Sequence, residues 1–144
     1  MKKVLILMIA ILLMTVGILG LKYKDYEIKK IDNNIFNSTY EEYNKTNLNG
    51  LDITTIMNKA ISNNEKYNIP KDEKNLYILD DENSVIIYII MVKDEPAYRM
   101  ERFTQVGIND FIRYFGEISF KCKEITYHSK NGRVASMTFE IEEY

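Results

Sequence analysis

Apolar residues follow three rhythms along this chain. From Val4 to Leu21, eighteen residues pass without a charge. At about 1.5 Å rise per residue they make a helix of roughly 27 Å, close to the roughly 30 Å hydrocarbon core of a bilayer. A secretory signal has a shorter apolar run, roughly 7–15 residues, and a small-x-small cleavage pair. The exit here, Thr15-Val16-Gly17-Ile18-Leu19-Gly20, has no such pair, and no cysteine follows that could carry a lipid. Residues 1–21 are therefore expected to be an uncleaved transmembrane signal anchor that meets the lipid bilayer through residues 4–21.

Beyond Leu21 the helical rhythm continues. Ile28, Ile31 and Ile35 recur at three- and four-residue steps among charged neighbours, which predicts one long helix over about 4–43 with a narrow apolar stripe in its second half. Tyr23 and Tyr26 lie just outside the apolar run, where amphipathic rings favour the headgroup zone. Asn47, Asn49 and Gly50 then favour a turn. In LDITTIMNKAISNNEKY the residues Ile53, Ile56, Met57, Ala60 and Ile61 share one face, with Thr54, Asn58, Lys59 and Ser62 on the other. That predicts an amphipathic helix over about 52–67, with Asp52 as N-cap.

After Pro70 the rhythm shortens. LYIL at 76–79 predicts a short strand and SVIIYIIMV at 84–92 a central one, at nine residues too short to span a bilayer as a helix. AYRMERF at 97–103 alternates loosely and predicts a further strand. Val106, Phe111, Ile112 and Phe115 predict a short helix ended by Gly116. ISFKCKEITYHSK and RVASMTFEI flank Asn131-Gly132, a dipeptide suited to the positive φ angles of a tight hairpin turn. Phe120, Cys122 and Glu124 oppose Lys121, Lys123 and Ile125, so neither face of that strand is wholly apolar. In its partner, Ala135, Met137, Phe139 and Ile141 are the expected core side. Strands in succession joined by turns predict an antiparallel sheet, hence an α+β fold. The expected division is an anchor at 1–21, a helical extension and loop at 22–49, and an α+β extracytoplasmic domain at 50–144.

Charge restricts the partners. Lys and Arg number 19 against 21 Asp and Glu, and setting aside Lys2 and Lys3 leaves 17 against 21, a net −4. That is unsuited to nucleic acid or to a polybasic membrane-surface module. Lys2 and Lys3 precede the anchor and Lys22, Lys24, Lys29 and Lys30 follow it, so lysine counts alone leave the orientation open. A start-proximal anchor ordinarily keeps its short basic end in the cytoplasm, which puts the body outside the cytoplasmic membrane.

Candidate chemistry is thin. Cys122 is the one cysteine, which excludes an intrachain disulfide and reads as a small apolar core residue. His128 is the one histidine, and beside the Asn131-Gly132 turn it reads as exposed. Six residues apart on one strand, the two would lie about 20 Å from each other, too far for a dyad. Asp80-Asp81-Glu82-Asn83 lacks the spacing of a calcium loop and reads as a solvated turn, as do Glu140, Glu142 and Glu143 at the acidic end. Asn37-Ser38-Thr39 and Asn44-Lys45-Thr46 match the glycosylation sequon, as an Asn-rich chain does by chance. No glycine-rich phosphate loop, G-x-S-x-G elbow or CxxC occurs. No enzyme, catalytic residue, cofactor or metal is expected. Of the eleven tyrosines, some, such as Tyr88 and Tyr127, are expected to help the sheet core or its rim, and others offer contact area for a binding surface.

The stretch IFNSTYEEYNKTNLNGLDITTIMNKAISNN resembles a segment of small, single-pass, membrane-anchored proteins of Gram-positive bacteria. The shared features are Phe36-Asn37, Tyr43-Asn44, Gly50 and Asn63-Asn64, followed by strands and the hairpin YHSKNGRV. That resemblance implies a membrane-anchored envelope protein and carries no activity with it. An apolar helix leading into a small sheet is also similar in outline to type IV pilins and pseudopilins, although Lys3-Val4 is no processing site and no Glu precedes Glu27. The expectation is an envelope protein partner or self-association, through helix 52–67 and the stripe Ile28, Ile31, Ile35. A pilin-like subunit, or a ligand module with a pocket between helix 52–67 and the sheet, is the alternative.

Overall fold

The computed structural model describes residues 2–142. It is α+β, with a long apolar N-terminal helix, a second helix and a four-stranded mixed sheet that ends in a hairpin. The elements are α1 (Lys2–Glu41), α2 (Gly50–Lys66), β1 (Ile86–Ile90), β2 (Tyr98–Arg99), α3 (Met100–Val106), α4 (Ile108–Phe115), β3 (Phe120–Tyr127) and β4 (Val134–Ile141). The chain forms two compact units, one through Ile35 and one from Phe36 onward. In the first unit, the apolar run of α1 is exposed along its whole length, and the helix is long and apolar enough to cross a membrane. Ile28, Ile31 and Ile35 are exposed as well.

In the second unit the core is a single cluster. Helix α2 contributes Ile53, Ile56, Met57 and Ala60, all fully buried, as their helical spacing requires. Thr54 is buried beside them, contrary to its polar-face assignment. Its hydroxyl donates to the Gly50 carbonyl at 2.9 Å, which satisfies it inside the helix. The N-cap is Asn49, not Asp52. Asn49 Oδ1 accepts from the Asp52 N–H while Asp52 Oδ2 accepts from the Asn49 N–H, at 3.0 and 2.9 Å, so Asp52 closes a capping box from the third helical position.

The sheet order is β2-β1-β4-β3. The hairpin β3-β4 and the pair β1-β2 are antiparallel, but β1 runs parallel to β4, with Ile87 opposite Met137 and Ile89 opposite Phe139. The wholly antiparallel expectation fails for a local reason. AYRMERF supplies only two strand residues, and from Met100 onward it is helix. Helices α3 and α4 then form a crossover that carries the chain past the position of β4, so that β4 returns beside β1 in the same direction. Gly107, at φ +121°, separates the two helices, so the run predicted from Val106 to Phe115 is split there.

LYIL does not join the sheet. The N–H of Tyr77 donates to Glu101 Oε1 at 2.9 Å, and Arg99 Nη2 donates to the Tyr77 carbonyl at 2.7 Å. The Arg99–Glu101 ion pair thus occupies the two backbone groups a neighbouring strand would have used. In β3 a bulge between Cys122 and Glu124 shifts the register. Ile125 therefore pairs with Met137 and packs against the core, on the side of Phe120 and Cys122, not with Lys121. That slip is why strict alternation gave β3 two mixed faces. In β4 the fully buried Met137 and Phe139 mark the expected core side.

Candidate functional site

The polar groups of the body gather around the start of the two parallel strands. Asn64, near the end of α2, is fully buried. Its Nδ2 donates to the Val85 carbonyl and its Oδ1 accepts from the Val85 N–H, both at 2.8 Å. A side-chain amide here takes the place of a neighbouring strand. Next to it, Asn63 Nδ2 donates to the Asn83 carbonyl at 2.7 Å. Near the end of α1, Asn37 does the same for β4, donating to the Gly132 carbonyl at 2.8 Å and accepting from the Val134 N–H at 2.9 Å. Two of the paired motifs in the resembling segment, Phe36-Asn37 and Asn63-Asn64, are thus backbone clamps.

His128 lies inside this knot and is not exposed. It is 6% accessible, with Nε2 2.8 Å from the Ser84 carbonyl and 4.0 Å from Asp80 Oδ1. The hairpin loop, closed between the His128 N–H and the Arg133 carbonyl at 2.8 Å, folds inward over the start of β1. The loop is wider than a two-residue turn, and only Gly132 of the Asn-Gly pair has positive φ, at +71°. Asn131 reaches across to the Glu82 carbonyl at 2.8 Å. Arg133 stacks on Phe36 and donates to the Tyr67 hydroxyl and to Asn83 Oδ1.

The DDEN run is a structural turn. Asp80 Oδ1 accepts from the backbone N–H groups of Glu82, Asn83 and Ser84, at 3.0, 2.7 and 2.7 Å. Burial pushes the Asp80 carboxyl up, but these donors outweigh it and hold it below the usual carboxylate range. The Ser84 hydroxyl accepts from the Asp80 N–H at 2.9 Å. Aspartate, serine and histidine thus lie together here, but the serine is fully buried and the imidazole bonds its carbonyl, not its hydroxyl. That geometry activates no nucleophile.

Cys122 is half-buried, its Sγ 3.6 Å from the Glu124 carbonyl, and burial pushes the thiol up, against the direction that reactivity requires. Tyr88 packs against the core, while Tyr127 is exposed on β3 and donates to Glu41 Oε1 at 2.8 Å. Glu140 takes Lys121 and Lys123 at 3.2 and 2.9 Å. The hydrogen bond from Lys123, with that from Lys121, holds its carboxyl low, so it is paired rather than merely solvated. Glu143 lies outside the described residues. Among the described residues no group of three or more His, Cys, Asp and Glu is gathered as metal ligands would be.

Several hollows open on the body, and two of them have phenylalanines in their walls. One is an open groove of about 530 Å³ between the end of α1 and the outer face of α2, with Phe36, Tyr40, Asn58, Lys59, Ser62 and Lys66 in its walls. The other is a notch of about 290 Å³ on α3 and α4, between Phe103, Val106, Phe111 and Tyr114. Neither lies between α2 and the sheet, where Ile53, Ile56 and Met57 close the space. The groove on α1 and α2 holds two shifted groups: burial pushes the Tyr40 phenol up, and although desolvation lowers Lys59, its hydrogen bonds to Glu42 and Tyr43 outweigh that and hold the ammonium up. No family model, curated protein or solved structure matches this chain.

Proposed function

We propose that this chain is a single-pass membrane protein that carries a small α+β body on the outer side of the cytoplasmic membrane, as a structural or interaction component of the envelope. The observation that carries the reading is the apolar run of α1, eighteen uncharged residues with no cover inside the molecule. Leaving such a run in water is costly, at about 25 cal/mol for each Å² of apolar surface, and a bilayer removes that cost. The body supports an interaction role over catalysis, since Asn37, Asn63, Asn64, Asn131, Asp80, His128 and Arg133 are committed to holding backbone and neighbouring side chains. The likeness of IFNSTYEEYNKTNLNG to single-pass envelope proteins of Gram-positive bacteria points the same way.

The test is a cross-linking pull-down from native membranes, with alkaline extraction and protease accessibility scored on the same membranes. The reading expects the chain in the extracted pellet, its body digested from the outer side, and one specific cross-linked partner or copy. A chain released by alkaline extraction, a protected body, or only bulk membrane proteins in the pull-down would each overturn the corresponding part.

A further inference from the structure

Helix α1 has one face on which two different packing rules meet. Outside the apolar run, in an aqueous setting, an apolar stripe on a helix marks the side that seeks a partner. Ile28, Ile31 and Ile35 make such a stripe and are 47%, 55% and 63% exposed. Inside the apolar run every position is apolar, so hydrophobicity marks nothing. Small residues mark close helix approach there instead.

The smallest residues of the run are Ala10, Gly17 and Gly20. On a helix of about 3.6 residues per turn, all three fall within about 55° of the centre of the isoleucine stripe. A Cβ at Gly17 or Gly20 would meet nothing within 4 Å in the single chain. Their smallness therefore serves no contact inside this chain. Thr15, the polar residue of the run, points to the opposite side and returns its hydroxyl to the Leu12 carbonyl at 2.8 Å.

We infer that α1 pairs along this face with α1 of a second copy, in parallel and in register. The inference rests on the membrane reading above, because insertion in one orientation brings equal levels of two copies together. Small residues then meet small residues and isoleucines meet isoleucines, as a self-complementary two-fold contact requires. The spacing fits a left-handed pair: Ala10, Gly17, Lys24 and Ile31 are seven apart, as are Leu21, Ile28 and Ile35. From Ala10 to Ile35 the seam extends over more than three heptads, the length at which such a pattern becomes a coiled-coil signal. Lys24 is its one charged position. In a parallel pair Lys24 meets Lys24 of the other copy, and the hole that receives each also includes Asp25 of the other copy, which offsets the like charge. Glu27 and Asp32 face each other across the same pair and oppose it, a repulsion that salt screens.

The experiment uses the full chain in its membranes, with Cys122→Ser as background and single cysteines introduced along α1. Ile28→Cys, Ile31→Cys and Ile35→Cys sample the seam. Tyr26→Cys, Lys29→Cys and Lys30→Cys sample the far side. On mild oxidation the seam positions are expected to give disulfide-linked homodimers and the far-side positions little. Adding Gly17→Leu is expected to reduce the Ile31→Cys dimer several-fold, although the single chain has room for the leucine. Equal yield on both faces, no dimer at any position, or a product with the mass of another protein would overturn the pairing. Alkaline extraction of the same samples separates the two readings. A chain in the pellet without face-selective dimers overturns the pairing and leaves the anchor. A chain released from the pellet overturns both.

Discussion

Asn64 holds Val85 by both backbone groups, with donor and acceptor distances of 2.8 Å each. Val85 is the residue before β1, fully buried, and its polar groups have no strand beside them. A carboxamide offers one donor and one acceptor in the geometry of a peptide group, so a single side chain satisfies both. Asn64→Ala leaves a buried N–H and a buried C=O unpaired at once. With a cost of about 1–3 kcal/mol for each orphaned group, the loss should be roughly 2–5 kcal/mol in denaturant unfolding of the detergent-solubilised chain. Asn64→Asp keeps the acceptor for the Val85 N–H and loses the donor to its carbonyl, so it too should destabilise. If either variant unfolded at the wild-type midpoint, the clamp would have no energetic role.

Asn37 makes the equivalent bonds to Gly132 and Val134 at the start of β4. It is half-buried, so Asn37→Ala should cost less, about 1–2 kcal/mol. The more specific signature is local. Hydrogen exchange at the Val134 N–H should accelerate well beyond any change at the middle of β4. Unchanged exchange at Val134 would show that the bond is not held in solution.

These two clamps mark what the sequence made legible and what it hid. Periodicity located α2 and β4, each with an apolar face of the right period, while α1 and β1 were legible as uninterrupted apolar runs of helix and strand length and the hairpin by its Asn131-Gly132 turn. It missed wherever a side chain replaced a backbone partner. Glu101 and Arg99 take the backbone of Tyr77 out of the sheet, and no local pattern in LYIL signals that. The bulge after Cys122 moved Ile125 to the core face by one slip of register. His128 looked exposed because the loop's inward fold is set by contacts to Ser84 and Glu82, more than forty residues away. The paired asparagines were visible as a motif, but their clamping role needed the register of the parallel strands.

Gly50 tests a close approach. Its N–H donates to the Gly116 carbonyl at 3.0 Å, and a Cβ at Gly50 would run into the Phe115 carbonyl group and the Gly116 Cα. Backbone atoms cannot step aside as a flexible side chain can. Gly50→Ala should therefore separate the start of α2 from the end of α4 and cost about 1–3 kcal/mol, even though alanine favours helix. Gly132→Ala meets no neighbouring atom, and its cost is only that of a positive φ. Thermal unfolding of the two variants should rank Gly50→Ala as the less stable, and the reverse order would contradict the close approach.

Acid should weaken the Asp80 turn. The carboxyl is held below its ordinary value of about 3.9, so its ionised form is favoured by folding. A group with a depressed folded value contributes fully above the unfolded value and loses that contribution as pH falls through the folded one. Asp80→Asn keeps an acceptor oxygen but no charge. The stability gap between wild type and Asp80→Asn should be constant from about pH 6 to 5 and close progressively below about pH 4. Paired unfolding curves across that range measure it, and a gap that widened in acid would reverse the sign and exclude the turn as its source.

Cys122 should be a slow nucleophile. Burial pushes its thiol up and the Glu124 carbonyl contact only partly offsets this, so less thiolate is present than in an unfolded chain at equal pH. Thiolate is the reacting form, and the half-buried position against the sheet core further limits access. Alkylation by a small maleimide should therefore be several-fold slower in the folded chain than in the denatured one at mildly alkaline pH. The difference should narrow as pH rises toward full ionisation, leaving only the part due to access. A native chain that reacted as fast as the denatured one would mean that the start of β3, where Cys122 pairs with Phe139, opens readily.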